Sequence, residues 1–168
     1  MKSIHSTYKG LISGFFLITL SVVLFYVFHL SEKGNSQYLI LFLFGLSICW
    51  PLLALKKNTQ ADHTFNNYFS EGFKSFIVVT LLMVIYTFFF YHYNPQILEK
   101  VILENNQMIL EQGNRTVGEI EENSKKLRSI FMPMMLSFTT IKFLALGAVV
   151  SAAGAFVLTK ELPNFNKR

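Results

Sequence analysis

The sequence predicts an all-α integral membrane protein, a bundle of four transmembrane helices with a periplasmic helical excursion between the third and fourth. Three observations carry this expectation. The chain of 168 residues is 52% hydrophobic and only 15% charged, with eighteen phenylalanines, whereas soluble domains run at about 45–50% apolar and about 25% charged. The apolar residues are gathered into long runs: Gly10 to Ser31, Gly34 to Leu55 and Ser75 to Leu98 hold no Asp, Glu, Lys or Arg. A helix needs roughly 20 such residues to cross a hydrocarbon core about 30 Å thick. A fourth run, FTTIKFLALGAVVSAAGAFVLTK from residue 138 to 160, carries one lysine, Lys142, inside it.

The first span is expected over residues 11–30. Lys2 and Lys9 precede it as they would a secretory leader, but the apolar stretch exceeds the roughly 7 to 15 residues of a leader core and no small-x-small cleavage site follows. Gly10 and Gly14 stand four apart in GLISG, on one helical face, and are read as packing positions that admit a neighbouring backbone. The short polar turn SEKGNSQ leads to a second span over 38–55, which makes an antiparallel hairpin. Tyr38 and Trp50 mark its two ends as interfacial rings do. Pro51 is a tolerated kink, because neighbouring helices in a membrane re-satisfy the freed carbonyl.

Residues 62–75 are read as an interfacial amphipathic segment; simple continuation of the third span into the cytoplasm is the alternative. Phe65, Tyr68, Phe69, Phe73 and Phe76 recur at spacings of three and four, while Glu71 and Lys74 face elsewhere. The third span, 76–93, ends in Tyr91 and Tyr93, an aromatic belt. Asn94-Pro95 then supplies an N-cap and a first-turn proline for a new helix. Residues 94–130, continuing to about 141, form the periplasmic helical pair. Ile97, Leu98, Val101, Ile102, Met108, Ile109 and Leu110 make a helical stripe, interrupted at Gly113-Asn114. Thr116-x-x-Glu119 fits a capping box that opens the second helix.

The fourth span is placed at 143–159. Residues 131–159 would make a helix of about 43 Å at ~1.5 Å per residue, too long for the core, whereas 143–159 is a short but sufficient span. Lys142 and Lys160 then bracket it and reach opposite surfaces. Lys142 is read as this boundary; a functional intramembrane charge is the alternative. Gly147, Ser151 and Ala155, four apart, are the packing face.

The net charge of +5 is scattered over the connecting segments, so it does not describe a nucleic-acid surface. With four spans both termini share one side. That side holds eight Lys/Arg against Asp62, Glu71 and Glu161; the other holds six Lys/Arg and seven acids. The positive-inside rule then puts both termini in the cytoplasm.

The order of parts resembles a family of bacterial membrane proteins known as domain of unknown function 4199. The features that carry the resemblance are GLISG at the first span, Phe69-x-x-Gly72-Phe73-Lys74 leading into the third, and Asn94-Pro95 after it. A charged outer excursion and a Gly/Ser/Ala-rich last span ending in lysine complete it. The resemblance implies a four-span inner-membrane protein with no catalytic residues to carry over.

The residues themselves offer little chemistry. Cys49 is the single cysteine, so no internal disulfide or CxxC pair exists. Zinc-protease, phosphate-loop and nucleophile-elbow motifs are absent. His29 and His92 fall at the outer ends of their spans and are the only weak metal candidates, short of the three or four ligands zinc requires. No cofactor is implied. No acidic residue lies in any of the four spans as drawn, which argues against a proton-coupled antiporter. The expectation is a non-catalytic multi-pass protein of the bacterial inner membrane, an accessory or scaffold subunit with the lipid bilayer, a second copy or another membrane protein as partners. The alternative is a small transporter or channel for ions or lipids.

Overall fold

The computed structural model describes residues 6–27, 36–57, 64–113 and 116–160. Among these the chain is helical, with no strand: α1 (Ser6–Tyr26), α2 (Ser36–Lys56), α3 (Phe65–Tyr93), α4 (Pro95–Gln112) and α5 (Val117–Lys160). Four of them, all but α4, are long and apolar enough to cross a membrane, and the chain is an all-α membrane protein.

Two helices are longer than the spans drawn from the sequence. No break separates residues 65–75 from the apolar run after them, and α3 is one helix of 29 residues, about 43 Å. Of the aromatic stripe of this segment Tyr68 and Phe76 are buried, Phe69 is half-buried, and Phe65 and Phe73 stay exposed. Likewise the second helix of the excursion does not end before the fourth span. Both belong to α5, 44 residues with Pro133 inside it, about 66 Å long. Charge marks where a helix leaves apolar surroundings; it does not stop the helix.

The chain divides into two compact units, Met1–Met83 with Thr140–Arg168, and Val84–Thr139. In the first unit α1 packs on α2. Its buried face is Ser6, Lys9, Gly10, Ser13, Gly14, Leu17 and Ser21, at spacings of three and four. The opposite face exposes Tyr8, Ile12, Phe15 and Phe16. Small and polar residues turned inward with large apolar ones outward is the arrangement of a helix in lipid, where close packing rather than hydrophobicity holds helices together. On α5, Gly147, Ser151 and Ala155 are buried while Val149, Phe156 and Val157 are exposed.

Contact registers fix the helix directions within this unit. A Cβ on Gly10 would lie against Ser75 and Val78, and one on Gly14 against Leu82, so α1 and α3 run parallel. Gly147 faces Phe76 and Gly72 faces Ser151, so α3 and α5 run antiparallel. The Phe44 and Phe143 rings meet edge to face at 4.8 Å and Gly154 lies beside Leu52, so α2 runs with α5. The starts of α1 and α3 and the ends of α2 and α5 therefore gather at one end.

The second unit centres on the buried residues Phe90, Ile102, Ile120 and Phe131, with Tyr91 edge-on to Phe131 at 5.3 Å. Pro95 opens α4, but Asn94 makes no side-chain cap. Its Nδ2 donates back to the Phe90 carbonyl at 2.7 Å and its Oδ1 accepts from Gln96 at 3.1 Å. The side chain of buried Asn94 thus closes the end of α3, while its backbone carbonyl accepts the Ile97 N–H at 3.1 Å at the start of α4. Gly113, at φ 66°, ends α4 in the left-handed conformation, its N–H donating to the Leu110 carbonyl. The box at the start of α5 is formed: Thr116 N–H donates to Glu119 Oε2 at 2.8 Å and Glu119 N–H to Thr116 Oγ1 at 3.4 Å. Of the α4 stripe Ile102 is buried, whereas Met108 and Leu110 are exposed along with Leu103.

Candidate functional site

The basic end of the first unit is where polar groups converge. Of the six lysines among its described residues, Lys9, Lys56, Lys57, Lys74 and Lys160 lie toward that end, and the one carboxylate among those residues is Glu71. Helix direction explains the gathering, since each of these lysines precedes or follows an apolar run at the start of α1 or α3 or the end of α2 or α5.

Glu71 is half-buried and ties α1 to α3. Ser6 Oγ donates to its Oε2, and Lys74 Nζ donates to its Oε1 at 3.1 Å. Lys9 stands one turn beyond Ser6 on the same face and is only 6% exposed. The helices touch just after it. A Cβ on Gly10 would stand 2.8 Å from the Ser75 carbonyl oxygen and 3.2 Å from its Cα, an approach no other residue permits without moving the backbone.

Behind this contact the interior is rich in hydroxyls. Serines and threonines in membrane helices commonly bond the carbonyl one turn back, and Ser21, Ser47 and Thr159 do so at 2.7–2.8 Å. Ser75 Oγ, Thr80 Oγ1 and Ser151 Oγ are buried and find no partner among the described residues. Ser151 Oγ would lie 2.7 Å from a Cβ on Gly72.

The sequence-derived positions fall as follows. Gly10, Gly14, Gly147, Ser151 and Ala155 are all buried in the first unit; Gly147 lies under the Phe76 ring, where a Cβ would come within 2.6 Å. Lys142 is half-buried, its Nζ 5.4 Å from the Phe143 ring centroid. His92 is exposed, stacked on Phe88 at 5.9 Å and edge-on to Tyr93 at 5.4 Å. His29 lies outside the described residues. Among the described residues no three His, Cys, Asp or Glu side chains gather where they could hold a metal ion. Cys49 is free and half-buried.

Sequence reading passed over Ser6, Lys9 and Glu71 as a set. The signal was present: Ser6, Lys9, Gly10, Ser13 and Gly14 share one helical face, and Thr19, which lies off it, is exposed and bonds the Phe15 carbonyl at 2.9 Å.

Neither a curated protein nor a solved structure matches the chain. A family profile does, over residues 8–160, and its description is Protein of unknown function (DUF4199). That stretch runs from the start of α1 to the end of α5, taking in the basic end, the hydroxyl-rich interior and the second unit alike. The chain therefore belongs to the DUF4199 family of proteins of unknown function.

Proposed function

We propose that the protein is a non-catalytic, multi-pass subunit of the bacterial inner membrane that serves as accessory or scaffold to a membrane assembly. The observation that carries this is the apolar surface left open on the helices of the second unit. Leu103 is 62% exposed, Leu110 59% and Val117 80%, and Met108 and Ile130 are exposed near them in sequence. In the first unit such residues suit lipid. On helices that also carry Glu99, Lys100, Glu119, Glu121 and Lys125 they suit a protein partner or a second copy of the chain, since exposed apolar patches rimmed by charge mark association surfaces. The orientation with both termini cytoplasmic is supported by the five lysines that gather, among the described residues, at one end of the first unit.

Affinity purification of the full chain in mild detergent tests this reading. A stoichiometric membrane-protein partner or a homo-oligomer is expected, and Leu103→Glu with Leu110→Glu releases it. A protein that stays monomeric and partner-free before and after the substitutions overturns the proposal.

A further inference from the structure

We propose that the outward face of α5 around Lys142 receives a transmembrane helix of another protein, one that carries an Asp or Glu in its middle. This rests on the scaffold reading and adds to it the chemistry of the partner.

Depth is the first argument. Gly147 packs on Phe76, near the start of the uncharged run of α3, and Lys142 lies five residues, about 8 Å of helix, further into that run. Phe143, the next residue, meets Phe44 of α2, which stands six residues, about 9 Å, inside the interfacial ring of Tyr38. By either helix Lys142 leaves α5 within the hydrocarbon and not in the layer of lipid phosphates.

Facing is the second. Ionisable side chains inside a membrane almost always turn to the interior of a bundle or to a water-filled cavity. The buried face of α5 is Phe143, Gly147, Ser151 and Ala155. Lys142 stands on the other side, half-exposed, with Ile141, Ala145 and Val149 exposed around it. It becomes interior only when another helix lies along α5, and the small side chains of Ala145 and Ala148, both exposed, let that helix come close.

Charge names the helix. All ten Asp and Glu of the chain lie outside its four apolar runs. Glu71 adjoins Gly72, which faces Ser151, nine residues or about 14 Å along α5 from Lys142, and it is taken up by Ser6 and Lys74. The Phe143 ring, 5.4 Å from Lys142 Nζ, carries no ionic charge. A second copy of this chain would bring lysine and no carboxylate to this depth, so the complementary group belongs to a different protein.

Trp50, the single tryptophan, reports on a dansyl-labelled, tryptophan-free polyleucine peptide mixed with the full chain in phosphatidylcholine vesicles. A peptide with one glutamate at its midpoint is expected to quench Trp50 at about fivefold lower peptide content than the all-leucine peptide, the weight of one strong polar contact between membrane helices. Lys142→Arg should keep that preference and Lys142→Leu remove it, with circular dichroism verifying that each variant is helical. Should Lys142→Leu fail that check, the unaltered chain still decides, since a peptide with its glutamate moved to one end, at headgroup level, should lose the preference. Equal quenching by the midpoint-glutamate and all-leucine peptides, as from a Lys142 that reaches the headgroups instead, or a preference that survives Lys142→Leu, overturns the assignment. Leu103→Glu with Leu110→Glu should leave the preference in place, so that this inference and the scaffold reading fail separately.

Discussion

Gly10 of α1 meets the backbone of Ser75 in α3 so closely that a Cβ would stand 2.8 Å from the Ser75 carbonyl oxygen. Gly14, one turn on, differs in what it faces: its Cβ would meet Leu82 Cδ1 at 2.5 Å, the far end of a side chain that can turn away. Alanine gains about 1 kcal/mol over glycine in a helix, and overpacking costs about 1–3 kcal/mol when neighbours cannot yield. Gly10→Ala is therefore expected to lower the unfolding temperature in detergent while Gly14→Ala leaves it unchanged or raises it. Equal losses at both positions would show that the two glycines face equally rigid surroundings.

Ser151 gives the opposite sign. Its Oγ is buried without a partner, and an unpaired hydroxyl costs about 1–3 kcal/mol by protein mutational measures. Ser151→Ala removes that cost with almost no change of shape, so it should stabilise the protein. Ser151→Val, filling a site that is 0% exposed beside Gly72, should destabilise it. Thermal unfolding of the two variants checks both signs; destabilisation by Ser151→Ala would mean that the hydroxyl has an important partner.

The four long helices were legible because uncharged runs of about twenty residues have few other uses in a folded chain. What the residues left open was continuity: the aromatic spacing of 65–76 suits an interfacial helix as well as a continuation of the third span, and α3 begins at Phe65 with Glu71 half-buried and held by Ser6 and Lys74. Lys9 has the appearance of a flanking charge by its order in the chain. It is buried because it lies three residues after Ser6 and four before Ser13, on the face turned to the other helices. Periodicity of the small and polar residues would have revealed this; periodicity of the apolar ones does not, since in lipid they face outward. Asn94 illustrates the remaining limit, for a capping residue type before proline turned back to the helix behind it.

The start of α5 depends on its capping box. Thr116 and Glu119 satisfy each other's backbone N–H groups, and Ile120, 7% exposed, donates its own N–H to the Thr116 carbonyl at 3.2 Å. Thr116→Ala should cost about 1 kcal/mol of helix stability and be felt locally. Hydrogen exchange at Gly118, Glu119 and Ile120 should quicken while the rate at Phe143 and Leu144, far along the same helix, stays the same. Quickening throughout α5 would show instead that the cap governs the whole helix.

Arg128 and Glu99 join α4 to α5 through a fork in which Arg128 Nη2 donates to Glu99 Oε2 at 2.6 Å and Nη1 to Oε1. The Arg128 hydrogen bond, with its charge adding to it, holds the Glu99 carboxyl below its ordinary value of 4.5. A carboxyl depressed by folding contributes stability that is present above its unfolded pKa and fades as pH falls through the folded one. The fork is thus complete at neutral pH and opens only in acid, below the ordinary glutamate range. Both groups are exposed, so the whole contribution is small, and the sharper readout is the titration itself. Carbon-13 NMR of Glu99 should give a pKa below the usual glutamate range, moving up to it in Arg128→Gln; a wild-type Glu99 that titrates normally would show that the fork does not persist in solution.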